Sequence, residues 1–268
     1  SRLRSMHPIY RLYNGCSTVA SMLEGHVVGC VGSIGSVMVS QGKAGQAYQR
    51  IEQLIVSEEL TPGNLVSEAV LMEKTGLGRT PIREDLQQLA RNRMVEIHPN
   101  RGVLIPPASV EAQLRMLEVR RVLEALAVRL ACHGATTDDR VQMEAMLLRL
   151  SGEPMALAEY AETLKDIHRL VARCCNNEYL ADAMAPLQGL SRRFWLAHLR
   201  DDGSSEVRRG SALYLAILRA VLARDTAAAE QASVSLNNYL VEFAYATIRR
   251  PAGSAEGSPT VPGLRTRP

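Results

Sequence analysis

The sequence predicts a mainly α-helical chain: three short helices and a small β-hairpin near the N-terminus, then an antiparallel all-α bundle of six or seven helices. Three observations carry this. Of the 268 residues 46% are hydrophobic and only 4% aromatic, so the core is aliphatic, and its Leu, Ala and Met favour helices over sheets. Apolar residues recur at three- and four-residue spacing along most of the chain, with one alternating stretch after Met94. The breaks between periodic segments are short, which suits helices that run antiparallel to their neighbours.

The length suffices for two domains, each with its own core. A net charge of +3 is too small to argue for nucleic-acid binding, so the distribution of charge matters more than its sum. The cysteines are Cys16, Cys30, Cys132, Cys174 and Cys175, an odd set without a C-x-x-C pair, which points to reduced thiols in a cytoplasmic protein. No uninterrupted apolar run reaches the ~18 residues of a membrane span, so no membrane partner is expected. Val19–Ser40 comes nearest, but Glu24, His26 and several glycines interrupt it, and it lacks the order of a signal peptide.

Residues 1–42 show no sustained period and read as a flexible extension. From Lys43 a first amphipathic helix places Ala44, Ala47, Tyr48, Ile51, Leu54 and Ile55 on one side, and Thr61-Pro62-Gly63 turns the chain. Ser67 can cap a second helix through Lys74 with Val70 and Leu71 inward, closed at Thr75-Gly76. A third begins with Thr80 as N-cap and Pro81 at the first helical position, where its missing N–H costs nothing. Ile82, Leu86, Leu89 and Ala90 form its apolar face, while Arg83 and Gln87 lie one turn apart on another. After Met94 the period becomes alternating: Val95 and Ile97 point one way, Glu96 and His98 the other, and Val103 and Ile105 return after Pro99-Asn100-Arg101-Gly102.

Helix, helix, helix, hairpin is the order of a winged helix-turn-helix, here spanning 43–107. Lys74 to Arg101 holds six basic and three acidic residues, whereas Lys43 to Pro107 balances at eight of each, so the charge is polarised toward one edge. A solvated helix face is the ordinary reading of such a run. The capped entry, the segregated sign and the adjoining hairpin together favour DNA instead. A helix N-terminus attracts phosphate through its dipole and free N–H groups, and guanidinium forks there reach guanine edges.

Pro106-Pro107-Ala108-Ser109 reads as a linker. Beyond it, 110–250 is helical. A long helix from Val110 to about Cys132 turns Leu114, Leu117, Leu123, Leu126 and Leu130 inward. Thr136-Thr137-Asp138-Asp139 caps the next, which carries Val141, Leu147 and Leu148. Gly152-Glu153-Pro154 starts another with Tyr160, Leu164, Ile167, His168 and Val171. Asn176-Asn177, Pro186 and Asp201-Asp202-Gly203 punctuate the chain beyond it. The last helices read Val207–Arg224 and Thr226–Ile248, joined at Asp225. The Gly/Pro/Ser-rich tail, 251–268, reads as disordered.

The order Pro62-Gly63, Leu65, Glu68, Leu71, then Gly78-Arg79-Thr80-Pro81-Ile82-Arg83-Glu84, then Pro99-Asn100-Arg101-Gly102 resembles the GntR family of bacterial transcription regulators. Members usually carry Ser at Gly78 and Ala at Asp85; the spacing is intact. The helical half resembles the FCD-type effector domain of the FadR branch, through Arg120-Arg121-Val122-Leu123-Glu124, Ile167-His168-Arg169-Leu170 with Asn177, and Ile217-Leu218-Arg219-Ala220 with Asp225. The resemblance, spanning about Ala44 to Tyr245, implies a homodimer in the bacterial cytoplasm, associated with the nucleoid. It would bind a pseudo-palindromic double-stranded DNA operator, with affinity set by a small organic acid. It also implies that Arg79, Thr80 and Arg83 contact bases and phosphates, and that Arg101 and Gly102 reach the minor groove; Gln87 joins the same helix face.

Many members of this branch hold a divalent metal through an Asp, a His four residues on, and two later His. Here His168 is retained, but Leu164 stands for the Asp, Tyr214 for the third ligand, and Leu236 or Asn237 for the fourth. One imidazole is not a metal site, so no cofactor and no metal is expected, with a divalent ion the lesser alternative. A carboxylate effector then needs a cation inside the bundle. Arg120 is the candidate, with His168, Tyr214 and Asn237 as polar partners; the competing role for Arg120 is an ion pair with Glu124 one turn on. Trp195 is either core packing or a ligand platform. Two other functions stand beside this one. The first is an architectural or constitutive DNA-binding repressor with a ligand-blind helical domain. The second, remote, is an enzyme using His168 and Cys174 or Cys175, against which stand the seven-residue gap from His168 to Cys175 and the lack of any nucleophile, phosphate-loop or zinc motif. The chain reads as no enzyme.

Overall fold

The computed structural model describes residues 45–153, 155–199 and 203–249. The extension expected over 1–42, the tail expected over 251–268, and Pro154, Asp201 and Asp202 lie outside the described residues.

The N-terminal region runs α1 (Gln46–Val56), β1 (Leu65–Val66), α2 (Glu68–Thr75), α3 (Arg79–Arg91), β2 (Glu96–His98) and β3 (Gly102–Leu104). The strands form one antiparallel sheet in the order β1-β3-β2, with Val66 opposite Val103 and Ile97 opposite Val103 on the other side. Ile51, Ile55, Leu71, Ile82, Leu86, Leu89, Met94, Val95, Val103 and Ile105 make a compact apolar core. Ser67 caps α2 by accepting the Val70 N–H, and Gly76 ends it at φ +67. The N-cap of α1, Gly45, offers no side chain. Its cap comes from α3, where the buried Asp85 carboxylate accepts the N–H of Tyr48 at 2.8 Å and that of Gly45 at 3.2 Å. The departure at position 85 therefore ties two helices together.

Several expectations give way here. The third helix begins at Arg79 with Gly78 as its N-cap, not at Thr80, because the Ile82 N–H already reaches the Gly78 carbonyl. Pro81 then sits third in the first turn, where a missing N–H is still harmless. Val70, expected inward, is 37% exposed, and Ile97, expected on the same side as Val95, is also 37% exposed while Val95 is buried. An eight-residue helix lying over the core buries one narrow stripe, led by Leu71, and the hairpin edge leaves the core before Ile97. The sequence pattern gives no sign of β1, since two residues are too few to show a period.

The bundle comprises α4 (Val110–Gly134), α5 (Thr137–Ser151), α6 (Leu157–Cys174), α7 (Glu178–Ala197), α8 (Ser204–Leu222) and α9 (Thr226–Ile248). Side chains set their starts: Ser109 caps α4, a Thr136/Asp139 capping box opens α5, Asn177 caps α7 and Asp225 caps α9. α8 starts at Ser204, three residues before the expected Val207. Pro186, expected to break the chain, lies inside α7. Its exposed neighbour Asp182, four residues back, is the one that loses an intrahelical partner.

The inward face of α4 differs most from expectation. Leu117 is buried, but Leu114, Leu123, Leu126 and Leu130 are only half-buried and flank a deeper stripe of Gln113, Leu117, Arg120, Glu124, Ala127 and Ala131. On α5 Val141 and Leu148 face outward, while Met143 and Leu150 are buried. Tyr160, Leu164, Ile167, His168 and Val171 of α6 all turn inward. No described helix is long and apolar enough to cross a membrane.

Candidate functional site

The helix-turn-helix presents α3 at the surface. Ile82, Leu86 and Leu89 anchor it to the core, and this leaves Arg79, Thr80, Arg83 and Gln87 exposed on the remaining surface from its N-terminus onward. Among these, Arg83 is held by α2: its Nε lies 2.9 Å from both carboxylate oxygens of Glu68. The pair is open to solvent, with side-chain exposures of 61% and 34%, so a phosphate or a base edge competes readily for Arg83. Arg101 is exposed in the tight turn between β2 and β3, where its N–H reaches the His98 carbonyl and Asn100 takes φ +62. Gly102 is half-buried and has a role inside the sheet. It adopts φ +115, and a Cβ there would sit 2.8 Å from the Val66 carbonyl oxygen of β1. The pairing of β1 with β3 thus requires glycine whatever the hairpin tip touches.

Between α4, α6, α7, α8 and α9 the bundle holds a small cavity, its surface mostly apolar with a few polar groups, of about 30 Å³. That is roughly the share of one liquid water. Arg120, His168, Tyr214, Arg192 and Trp195 all line it, and Leu164 and Leu236 supply apolar wall. The Arg120 guanidinium meets Glu124, with Nε at 2.9 Å and Nη2 at 2.8 Å from the same oxygen, Oε1. The ion pair expected between Arg120 and Glu124 is present, and the same guanidinium lines the cavity. The pair is buried, with side chains 3% and 8% exposed, not the surface pair that i,i+4 spacing alone suggests. His168 Nε2 is 2.8 Å from the Tyr214 hydroxyl. Burial, then the guanidinium charges of Arg120 and Arg192, holds the His168 imidazole well below its usual pKa, so it is neutral near pH 7. The Tyr214 hydroxyl is pushed up to about 12 by burial, so it is a protonated donor.

Glu124 Oε2 and His168 Nδ1 are buried without a hydrogen-bond partner among the described residues. Asn237 is not brought to the cavity; its amide donates to the Leu117 carbonyl of α4 at 3.1 Å and joins α9 to α4. Trp195 lines the cavity and also donates its indole N–H to the Tyr239 hydroxyl at 2.7 Å. Sequence reasoning missed Arg192, which lines the cavity from α7 and pairs with Glu52 of α1. The signal was present in the basic pair Arg192-Arg193, but nothing in one helix shows which of two neighbouring arginines faces inward.

A divalent ion does not fit this donor set. The positions that would supply ligands hold Leu164, Tyr214 and Leu236, the one imidazole is engaged with a phenol, and no group of three His, Cys, Asp or Glu side chains converges among the described residues. The thiols do not fit a nucleophile. Cys174 is pushed up to about 12 by burial, burial also raises Cys175, and Cys175 Sγ points at the Ala172 carbonyl at 2.9 Å. A reactive cysteine needs the opposite shift.

The two regions match two known families. A family described as bacterial regulatory proteins, gntR family, matches residues 43–105, and the FCD domain matches 115–238. An uncharacterised HTH-type transcriptional regulator from the TAR-I ttuE-ttuC' intergenic region of Agrobacterium vitis is 30% identical over 128 residues, 46% of this chain and 71% of that protein. The chain belongs to the GntR family. Within it, the Nta operon transcriptional regulator of Aminobacter aminovorans is 28% identical over 66% of this chain and 83% of its own length. The HTH-type transcriptional repressor RspR of Escherichia coli K12 is 25% identical over 70% of this chain and 82% of its own. The solved structure of E. coli McbR/YncC shares the fold, with a TM-score of 0.63 at 18% identity over 78% of this chain and 99% of that one. This GntR-family chain is a DNA-binding transcription regulator, not an enzyme.

Proposed function

We propose that the protein is a ligand-responsive regulator that binds a pseudo-palindromic operator as a homodimer in the cytoplasm, and that a small carboxylate in the bundle cavity sets its DNA affinity. The observation that supports the DNA half is the exposed row Arg79, Thr80, Arg83 and Gln87 beginning at a helix N-terminus. Arginine forks there read guanine, and Arg101 at the hairpin tip follows the adjoining groove. One short recognition helix covers only a few base pairs, so a two-fold pair of subunits is the economical reader of a longer site. The ligand half is supported by Arg120 in the cavity beside neutral His168 and Tyr214, a guanidinium with hydrogen-bonding neighbours.

Selection from random duplexes at moderate salt tests the first half. Recovery of a two-fold-related motif supports it, and absence of any sequence preference refutes it. Native mass spectrometry of the protein as purified tests the second: a small acid retained at one per subunit supports it. One observation favours a second reading, a ligand-blind bundle. The cavity of about 30 Å³ is too small for an organic acid unless side chains move. On that reading no small acid changes DNA affinity or melting temperature.

A further inference from the structure

The two domains meet at one turn of α7. Leu190 packs against the core of the N-terminal region, and the Arg193 guanidinium donates to the Pro106 carbonyl of the linker. Gly189 lies so close that a Cβ would fall 2.6 Å from Glu52 Oε1 and 2.8 Å from Met94 Cε. Arg192 Nη2 reaches Glu52 Oε1 of α1 at 3.2 Å, with side chains 7% and 11% exposed. Arg192 also lines the bundle cavity beside Arg120, and it lies on the floor of a wider groove of about 730 Å³ that α1 flanks with Tyr48, Gln49 and Glu52.

Charge accounting then constrains any anionic ligand. Two guanidiniums line the cavity, Arg120 and Arg192, and each already has a carboxylate, Glu124 and Glu52. An entering anion finds no guanidinium in the cavity without a carboxylate, so it competes with Glu124 or Glu52 for one of them. Displacing Glu124 leaves a carboxylate buried in the bundle without its partner, which is strongly unfavourable. Displacing Glu52 releases it toward the groove as α1 moves off.

We propose that Arg192 is a ligand-anion contact and at the same time the latch that holds the DNA-binding domain through Glu52, so that an anionic ligand and the docked α1 compete for one guanidinium. This rests on the cavity being the site of a carboxylate effector. Binding transfers Arg192 from Glu52 to the ligand, frees α1 from α7, and loosens the orientation of the reading heads. No bond is made or broken beyond the ion pair.

The full chain is titrated with acetate, pyruvate, succinate and citrate, followed by thermal shift and by hydrogen exchange at α1 and at Pro106–Ser109. The expected result has four parts. At least one acid raises the melting temperature of the wild type and speeds exchange at α1. Glu52→Gln binds that acid at least fivefold more tightly and exchanges fast at α1 without it. Arg192→Gln also exchanges fast at α1 but no longer responds to the acid. Gly189→Ala, which keeps both charges and pushes a methyl toward the Glu52 carboxylate, behaves as Glu52→Gln does and controls for misfolding around an unpaired charge. Equal acid binding by wild type, Glu52→Gln and Arg192→Gln overturns the latch and leaves the effector reading standing. So does unchanged α1 exchange in the ligand-free variants. If none of the four acids moves either readout in the wild type, the carboxylate reading fails and the competition falls with it.

Discussion

The winged helix-turn-helix and the bundle handle charge in opposite ways. In the first, the core is largely apolar, with Glu52, Thr75 and Asp85 as its buried polar side chains, and its arginines stand at the surface where DNA can take them. In the second, Arg120, Glu124, His168, Gln188 and Arg192 are buried side by side. A reading surface needs accessible charge on a rigid support, whereas a cavity that senses a ligand, as proposed for the bundle, would need charge whose pairing a guest can alter. The contrast appears in two ion pairs of the same chemistry: Arg83–Glu68 in solvent and Arg120–Glu124 in the interior.

Breaking the interior pair has the largest expected effect. Glu124→Ala strands a buried guanidinium and lowers unfolding free energy by about 3–5 kcal/mol in urea denaturation, whereas Glu68→Ala changes it by less than about 1 kcal/mol. Equal losses would erase the distinction between the regions. The same burial gives the bundle a pH dependence. His168 is depressed in the folded state, so below about pH 6.5 the unfolded chain gains a proton that the folded one refuses. Stability should therefore be flat above that pH and fall below it, and His168→Gln should flatten the melting temperature measured between about pH 6.5 and 5.

On the surface side, Arg83→Ala should weaken operator binding by about 1–3 kcal/mol in fluorescence anisotropy while shifting stability by under about 0.5 kcal/mol. A matching loss of stability would move Arg83 from the reading face to the scaffold. Asp85→Ala restores the residue usual in the family but uncaps α1, and it should cost about 0.5–2 kcal/mol of stability. Smallest of all, Gly78→Ser supplies the side-chain cap that α3 lacks, into open space, and should stabilise the fold by a few tenths of a kcal/mol.

These contrasts explain which features were legible. In the DNA-binding region, local chemistry suffices: Ser67 and Gly76 bound α2, and the alternation after Met94 marks the hairpin. The misreadings there, Val70, Ile97 and the start of α3, concern where a surface ends, which depends on neighbours. In the bundle, spacing draws the apolar stripe of α4 through its leucines, and the structure draws it through Arg120 and Glu124. Hydrophobic periodicity assumes that charge faces water. It fails where an oppositely charged group shares the interior.

By itself the sequence determined most of the helices, the caps at Ser67 and Thr136, the hairpin and the arginines at the head of α3. Propensity, capping and periodicity act over a few residues, and the chain carries them wherever it folds. Only the tertiary structure decided that Asp85 caps α1, that Gly102 is demanded by Val66, and that Arg192 faces both the cavity and Glu52. Each of these joins residues 36 to 140 positions apart. Which side chain meets which across such a distance is set by packing, and no local pattern encodes it. The reading head could be found from its own residues; its connection to the bundle cavity through Arg192 and Glu52 exists only once α7 is laid against α1.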